Sequence, residues 1–296
     1  MLCGYPLWHR CTLQIGGPAD YYCIPENEQD LKILLTSGAA SGIPFLTLGS
    51  GSNILLADKG VRGMVIDTRN FTDSRMEGHT LILGAGLEAS AAAWTSASSG
   101  LQGLEFLFGM PGTIGGALWM NARCYGAEIA DIFEWADIIN PNGTVQRLPF
   151  NAAQWSYKRS PFQNSDAVIL RGAFRTTAGN PAQLRQTMLH HYQNRLSKGH
   201  YSAPCAGSAF KNNRDFGSPS GKIIEDCGLK GLQIGRAAIS HQHANIFINT
   251  GGASASDFLQ LLNTTADKVE QNTGFRLEPE IVLAGEWQTT DQRAGK

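Results

Sequence analysis

Four stretches of this chain set small residues beside polar ones in a way that can support chemistry. The first is LGSGSN, holding Gly49, Ser50, Gly51, Ser52 and Asn53 between two apolar runs. Successive amides in such a turn make a concave nest of donors for anionic oxygen. Ser50 and Ser52 add hydroxyls, and Asn53 adds an amide and tolerance for unusual backbone angles. No GK[ST] follows, so this is not a P-loop. The spacing is not that of the dinucleotide fingerprint, and a strand follows where that motif needs a helix. An ordinary hairpin loop is the plain alternative. The second stretch is GMPGTIGGALWMNARCYGAE, where Pro111, Gly112, Gly115 and Gly116 frame a helix start with Thr113 near the cap. Free amides at a helix N-terminus suit a pyrophosphate. Two phosphate-friendly loops this close together suggest a dinucleotide cofactor between two αβ lobes. Met110, Trp119 and Met120 either flank a ring system or belong to a core.

The third stretch is CAGSAFKNN. Ser208 sits among small residues that let backbone pass close to a ligand, and Lys211 and Asn212 follow at a spacing suited to phosphate or uracil. No G-x-S-x-G elbow surrounds the serine, which argues against a hydrolase nucleophile. The fourth is RLEPEI, where Glu278 and Glu280 alternate along an extended segment, so one points inward and one outward. An inward carboxylate can stay protonated or pair with a cation. A rim carboxylate is the simpler reading.

The elements that hold these stretches alternate between strand and helix. ADYYCIPE, IPFLTLG, LLAD, GVRGMVIDT, TLILGAG and AVILRGAFRT read as strands. A helix opens at Asn27 and closes on glycine, and alanine-rich LEASAAAWTSASSG makes another, ending at Gly100. Asn142-Gly143 marks a hairpin. A long helix after Pro181 places Leu184, Met188, Leu189, Tyr192 and Leu196 on one face. Lys198 to Asp215 reads as loop. A short helix follows, with Ser218 as N-cap, Pro219 at its first position and Gly228 as its stop. AAIS and NIFINT are strands, SASDFLQLLNTTADKVEQNTG is a capped amphipathic helix ending at Gly274, and FRLEPEIVLAGEW is a final strand.

The chain has 296 residues, enough for two or three packed subdomains, with no fixed-period repeat. Lys and Arg number 24 and Asp and Glu 25, a balance that argues against nucleic acid as the main partner. Glycine is the strong deviation, 34 of 296 residues against a usual share of about 7%. The six cysteines form no CxxC pair and show no zinc spacing, so no metal is expected. His190 and His191 read as a solvated helical pair. Neither a signal peptide nor an apolar run long enough for a bilayer is visible, so no membrane partner and a cytoplasmic location are expected.

In the order TLQIGGPAD, LGSGSNILLAD, GMPGTIGGALWMNA, YKRSPFQ, AGSAFKN, GKIIEDCGLKG, HANIFIN and LEPE, over residues 12–285, the chain resembles the UDP-N-acetylenolpyruvoylglucosamine reductase family. The lack of an inserted fold before AGSAFKN resembles its shorter type II form. The resemblance implies an α+β fold: a two-lobed FAD-binding domain of the PCMH, or vanillyl-alcohol-oxidase-like, type, with a C-terminal α/β substrate domain. The lobes would be 1–70 and 71–178. The linking helix and UDP-sugar domain would be 179–296, with the strand 275–296 packing back near the first lobe. FAD would be non-covalent, because LGSGSN lacks a histidine or cysteine for attachment.

The resemblance also implies an enzyme of cell-wall biogenesis, serving peptidoglycan synthesis, cell shape and division. Its partners would be small molecules, the UDP-sugar and NADPH. Gly49, Ser50, Gly51, Ser52, Asn53, Pro111, Gly112, Thr113, Gly115, Gly116, Asn121 and Gly126 match cofactor-binding positions. Ser208 matches the proton donor and Glu280 the catalytic glutamate. Tyr157, Lys211, Asn212 and His243 match or adjoin substrate-contacting positions. The order of events would be ping-pong: NADPH gives up hydride and leaves, and the enolpyruvyl ether then enters the same cleft and receives it. The family's Tyr-Arg-x-Ser reads Tyr157-Lys158-Arg159-Ser160 here, so Lys158 stands where arginine is usual, with Arg159 beside it. MNAGAYG reads MNARCYG, which brings in Arg123 and Cys124. Two other readings stay open: a flavin oxidase acting on a sugar alcohol or lactone, which the missing attachment histidine and the AGSAFKN and LEPE segments oppose, and a non-catalytic nucleotide-sugar or flavin binder.

Overall fold

The computed structural model describes residues 1–287; residues 288–296, the end of the stretch 275–296 expected as a final strand, lie outside the described residues. The chain forms two compact units. Unit one takes in Tyr22–Ser50 and Gly63–Asn194; unit two takes in Leu2–Tyr21, Gly51–Arg62 and the chain from Arg195 on.

Unit one begins with helix α1 (Glu28–Ala40), capped by Asn27, whose side chain accepts the Asp30 amide. Leu31 and Leu35, one turn apart, are buried. The strand Phe45–Leu48 follows and pairs in parallel with residues 64–67. The main sheet has five strands in the order Val145–Pro149, Phe133–Ile139, Val168–Arg175, Thr80–Gly84, Ser74–Glu77. Its ladders are antiparallel, with the Asn142-Gly143 turn between the first two strands. Helices α2 (Ala89–Ser98) and α3 (Ile114–Trp119) share its core, where Ala93, Ile114 and Leu118 join Leu83, Phe133 and Phe174. In α2 the buried residues Ala89, Ala92, Ala93, Ser96 and Ala97 repeat at helical spacing, a small-residue stripe that lets backbone come close. Arg171 crosses the sheet to pair with Asp137 and with Glu28 of α1.

Helix α4 (Pro181–Ser197) departs from expectation. Leu184 and Met188 are buried, but Leu189, Tyr192 and Leu196 are 49%, 38% and 48% exposed. The buried stripe continues through Arg195, seven residues after Met188, so the apolar residues on the neighbouring stripe stay at the surface. His191 is not a solvated residue: its ring stacks on Tyr125 with centroids 3.8 Å apart.

Unit two is built on a four-stranded antiparallel sheet in the order Cys205–Ser208, Ile246–Asn249, Ala237–Ile239, Gln233–Ile234. The first strand lies inside the stretch expected as loop. Its pairing is interrupted between Cys205 and Ser208, where Gly207 takes a positive φ of 73°. Helix α5 (Ser220–Asp226) starts one residue later than expected, with Pro219 and not Ser218 at the cap. Asn212 Oδ1 takes the Ser220 amide at 2.9 Å and supplies the capping acceptor from outside the helix. Helix α6 (Ala255–Thr273) has a Ser254–Asp257 capping box and ends at Gly274 with φ 77°. Its buried Phe258, Leu262 and Val269 follow the helical period.

The expected final strand shortens to Val282–Ala284, which pairs in parallel with Ile54–Leu56. Asp58 then accepts the amides of Ala255 (2.7 Å) and Ser256 (3.0 Å) at the start of α6, where a carboxylate is favoured. These bonds tie the segment around Asp58 to the start of α6 within unit two.

Candidate active site

In unit one, Gly49 and Ser50 follow the strand Phe45–Leu48. A side chain at Gly49 would collide with Thr113 Oγ1. Thr113 caps α3 by accepting the Gly116 amide. Ser50 Oγ donates to Glu88 Oε1 at 2.8 Å, and Glu88 bridges Thr113 in turn. The first and second glycine loops therefore meet.

The amides opening α3 are not free. Ile114 donates to Leu87 O at 2.9 Å, Gly115 to Ala85 O at 2.7 Å and Gly116 to Thr113 Oγ1 at 3.3 Å. The helix-start donors expected from the sequence are already used. Among the described residues, the amides of Ser50 and Gly112 have no hydrogen-bond partner. Gly116 borders open space, its missing side chain having only Thr113 Oγ1 near it, at 3.6 Å. Two bare amides and a glycine with room beside it fit an oxygen-rich cofactor such as a diphosphate. Pro111 is exposed at the start of this loop.

Beyond α3 the chain makes a hairpin, Arg123–Cys124 against Ala127–Glu128. Tyr125 and Gly126, with φ 52° and 86°, are its two turn residues. Positive φ at both is the mark of a type I′ turn. The Tyr125 hydroxyl donates to His191 O at 2.8 Å, which helps hold a non-glycine residue there. Asn121 is fully buried with φ 42°. Its Nδ2 donates to Ser156 O at 3.0 Å and its Oδ1 accepts the Ala130 amide at 3.0 Å. The Asn121 side chain thus braces two loops.

Ser156 and Arg159 exchange backbone hydrogen bonds of 3.2 and 2.9 Å around Tyr157 and Lys158. Lys158 has φ 59°, at the turn site that glycine or asparagine normally takes. Such a conformation costs a lysine about 1 kcal/mol or more and persists only where its surroundings impose it. Gln163 Nε2 does part of that, donating to Lys158 O (3.0 Å) and Trp119 O (2.9 Å), while Ser160 Oγ donates to Trp119 O (2.7 Å). Lys158 is half-buried and Arg159 exposed.

In unit two, Gly51 and Ser52 carry amides with no partner among the described residues. Gly51 (φ 62°) is packed against Cys11, so a side chain there has no room. Asn53 Nδ2 donates to Glu280 O at 3.1 Å. Ser208 ends its strand at the rim of a cavity of about 310 Å³, shared with Asn212, Gly221, His243 and Asn245. Asn245 fixes the adjoining chain: its side chain exchanges bonds of 2.9 and 2.8 Å with the Phe210 backbone, and its O takes the Ala209 amide at 2.8 Å. The Glu280 amide donates to Ala209 O at 2.8 Å, so the catalytic pair expected from the resemblance lies on adjoining chain segments.

Lys211 does not line this cavity; its Nζ pairs with exposed Glu278 at 2.6 Å. His243 Nδ1 receives the Asn245 amide at 3.1 Å, which requires an acceptor there and leaves the proton on Nε2. Burial, assisted by Lys198 and Lys230, keeps His243 below its ordinary value and so neutral near pH 7. Gly221, Lys222, Glu225, Gln242 and Asn245, which the sequence did not single out one by one, also line the cavity; the signal for all but Gln242 is their place inside the GKIIEDCGLKG and HANIFIN segments.

A family model described as FAD binding domain matches residues 19–149, and one described as UDP-N-acetylenolpyruvoylglucosamine reductase, C-terminal domain, matches residues 199–284. The UDP-N-acetylenolpyruvoylglucosamine reductase of Treponema pallidum is 38% identical, covering 95% of this chain and 92% of that protein. The one from Rubrobacter xylanophilus is also 38% identical, covering 95% and 94%. The crystal structure of UDP-N-acetylenolpyruvylglucosamine reductase from Thermus caldophilus superposes with a TM-score of 0.80 at 31% identity, covering 94% of this chain and 97% of that one.

Proposed function

The chain belongs to the UDP-N-acetylenolpyruvoylglucosamine reductase family, and from that membership we propose a reading of how its residues perform the reaction. It is an FAD-dependent oxidoreductase that reduces UDP-N-acetylglucosamine enolpyruvate to UDP-N-acetylmuramate in peptidoglycan precursor synthesis, with NADPH as hydride source. Cell shape and division depend on that product, and the enzyme works in the cytoplasm on small-molecule substrates. No described helix is long and apolar enough to cross a membrane. FAD, when bound, supplies the hydride relay between NADPH and the enolpyruvyl double bond. Within unit one, the amides of Ser50 and Gly112 and the open side of Gly116 would hold its diphosphate, Thr113, Gly115 and Asn121 shaping that loop and Gly126 adding a side-chain-free edge; within unit two, the Gly51 and Ser52 amides offer donors of the same kind.

The remaining steps belong to the side chains. Hydride added to the methylene carbon leaves negative charge on the neighbouring carbon, delocalised into the carboxylate. Lys158, half-buried and held in a costly backbone conformation, binds that carboxylate, with Arg159 beside it and Tyr157 packing against the substrate. The Ser208 hydroxyl delivers the proton to the charged carbon, and Glu280 lies on the segment hydrogen-bonded to the chain that carries Ser208. Neutral His243, donating through Nε2, and Asn212 bind the UDP-sugar in the cavity beside Ser208, while Lys211, paired with Glu278 outside that cavity, contributes charge from the adjoining segment. The observation that carries the reading is the placement of Ser208: half-buried, on a bulged strand end, lining a cavity with a neutral histidine donor. Incubation with NADPH and UDP-N-acetylglucosamine enolpyruvate tests it. NADPH should be consumed one for one with a product heavier by two hydrogens. NADPH consumption that is independent of the enolpyruvate, with the sugar nucleotide unchanged, would refute it.

A further inference from the structure

We propose that Arg123 is a second cation for the substrate carboxylate, acting with Lys158; the inference rests on the functional reading above. Arg123 opens the Arg123–Cys124 strand of the hairpin, and its guanidinium carbon lies 5.8 Å from the centre of the Tyr157 ring. Lys158 Nζ lies 6.0 Å from the same centre. Both cations thus neighbour one ring, and its turn is held by backbone bonds between Ser156 and Arg159. A ring's quadrupole attracts a cation, but two like charges beside it repel each other unless an anion joins them.

Directly across the hairpin lies a negative group, Glu128. Its Oε2 is 3.4 Å from Arg123 Nη1, and both side chains are largely shielded, at 21% and 33% exposure. Among the described residues Glu128 is the only hydrogen-bond partner of Arg123. A guanidinium carries five donors in a planar fork, so one long bond leaves most of its capacity open. Hairpin and turn are tied together, because Asn121, two residues before Arg123, donates to Ser156 O within the turn. Lys158 offers a point charge without a fork, and Arg123 adds the flat two-point recognition that a carboxylate accepts.

The test uses the FAD-loaded enzyme with Arg123→Ala, Arg123→Lys and the double variant Arg123→Ala/Lys158→Arg. Flavin absorbance verifies that each variant folds and holds its cofactor. Two ligands are compared: UDP-N-acetylglucosamine enolpyruvate, and UDP-N-acetylglucosamine, which lacks the carboxylate. Arg123→Ala should weaken the enolpyruvate roughly 10- to 100-fold, as loss of a hydrogen bond to a charged group does. Binding of UDP-N-acetylglucosamine and bleaching by NADPH should stay within about twofold. Arg123→Lys should fall between, since it keeps charge and loses the fork, and Lys158→Arg should recover part of the loss. Unchanged enolpyruvate affinity, equal loss for both ligands, or slowed bleaching by NADPH would each overturn the assignment. A wild-type enzyme that enolpyruvate fails to reoxidise would instead defeat the functional reading, and the inference with it.

Discussion

Gly115 and Gly116 stand side by side in one helical turn and answer to different constraints. A methyl at Gly115 would press on Ala85 at 3.0 Å, whereas one at Gly116 meets only Thr113 Oγ1 at 3.6 Å. Gly115→Ala should therefore lower the melting temperature of the cofactor-free protein. Gly116→Ala should hold or raise it, alanine being the better helix former by about 1 kcal/mol, yet should weaken FAD binding by occupying the open side. Titrating FAD into both variants, with melting curves alongside, checks this; unweakened FAD binding by Gly116→Ala would remove Gly116 from the cradle. Ser208→Ala should slow reoxidation by the enolpyruvate about 100- to 10,000-fold while leaving bleaching by NADPH unchanged, a split that stopped-flow absorbance resolves. At this scale the sequence showed which residue types could act, because glycine clusters and a serine among small residues are visible without coordinates. It did not show that the Ile114 and Gly115 amides are spent on Leu87 and Ala85, since those acceptors come from elsewhere in the fold. The strained φ of Lys158 was equally hidden, because Gln163 and its neighbours impose it through tertiary bonds.

Elements with self-contained end signals were the readable ones. Asn27 caps α1, and Ser254, Asp257 and Gly274 bound α6, because each cap bonds within a few residues of itself. The start of α5 was misplaced by one residue because its capping oxygen comes from Asn212, outside the helix. The strand Cys205–Ser208 was invisible because a positive-φ glycine breaks its pairing and hides any alternation. Asn245 joins that strand's continuation to the sheet through three hydrogen bonds, two of them buried. Asn245→Ala would strand the buried Phe210 amide and carbonyl, at about 1–3 kcal/mol each. A clear fall in melting temperature together with a raised KM for the enolpyruvate is expected. An unchanged KM in a destabilised but folded variant would detach this brace from the site.

On the scale of the whole molecule, the two-unit division recruits the N-terminal segments Leu2–Tyr21 and Gly51–Arg62 into unit two. The parallel pairing of Ile54–Leu56 with Val282–Ala284 joins opposite ends of the chain, and no local pattern announces such a partner. The mixed order of strands and helices was readable from their alternating patterns, and the α+β class followed from the resemblance; the parallel partner of Val282–Ala284 was not written locally, being set by long-range pairing. Acid sensitivity belongs to this scale. Burial, with Arg195, His243 and Lys198 nearby, pushes His200 from 6.5 down to about 4. The unfolded chain therefore binds the proton first, so the contribution of His200 is complete above pH 6.5 and declines as pH falls toward 4. Denaturant midpoints should drop over that interval, and His200→Gln should flatten the drop; an equal slope in both proteins would assign it to other groups.

The most direct measurement is the visible spectrum of the purified, FAD-loaded protein through one cycle without oxygen. NADPH should bleach the flavin bands, and UDP-N-acetylglucosamine enolpyruvate, but not UDP-N-acetylglucosamine, should restore them in the wild type and only very slowly in Ser208→Ala. A flavin that bleaches yet stays bleached with the enolpyruvate, or a Ser208→Ala enzyme that recovers as fast as wild type, would contradict the account.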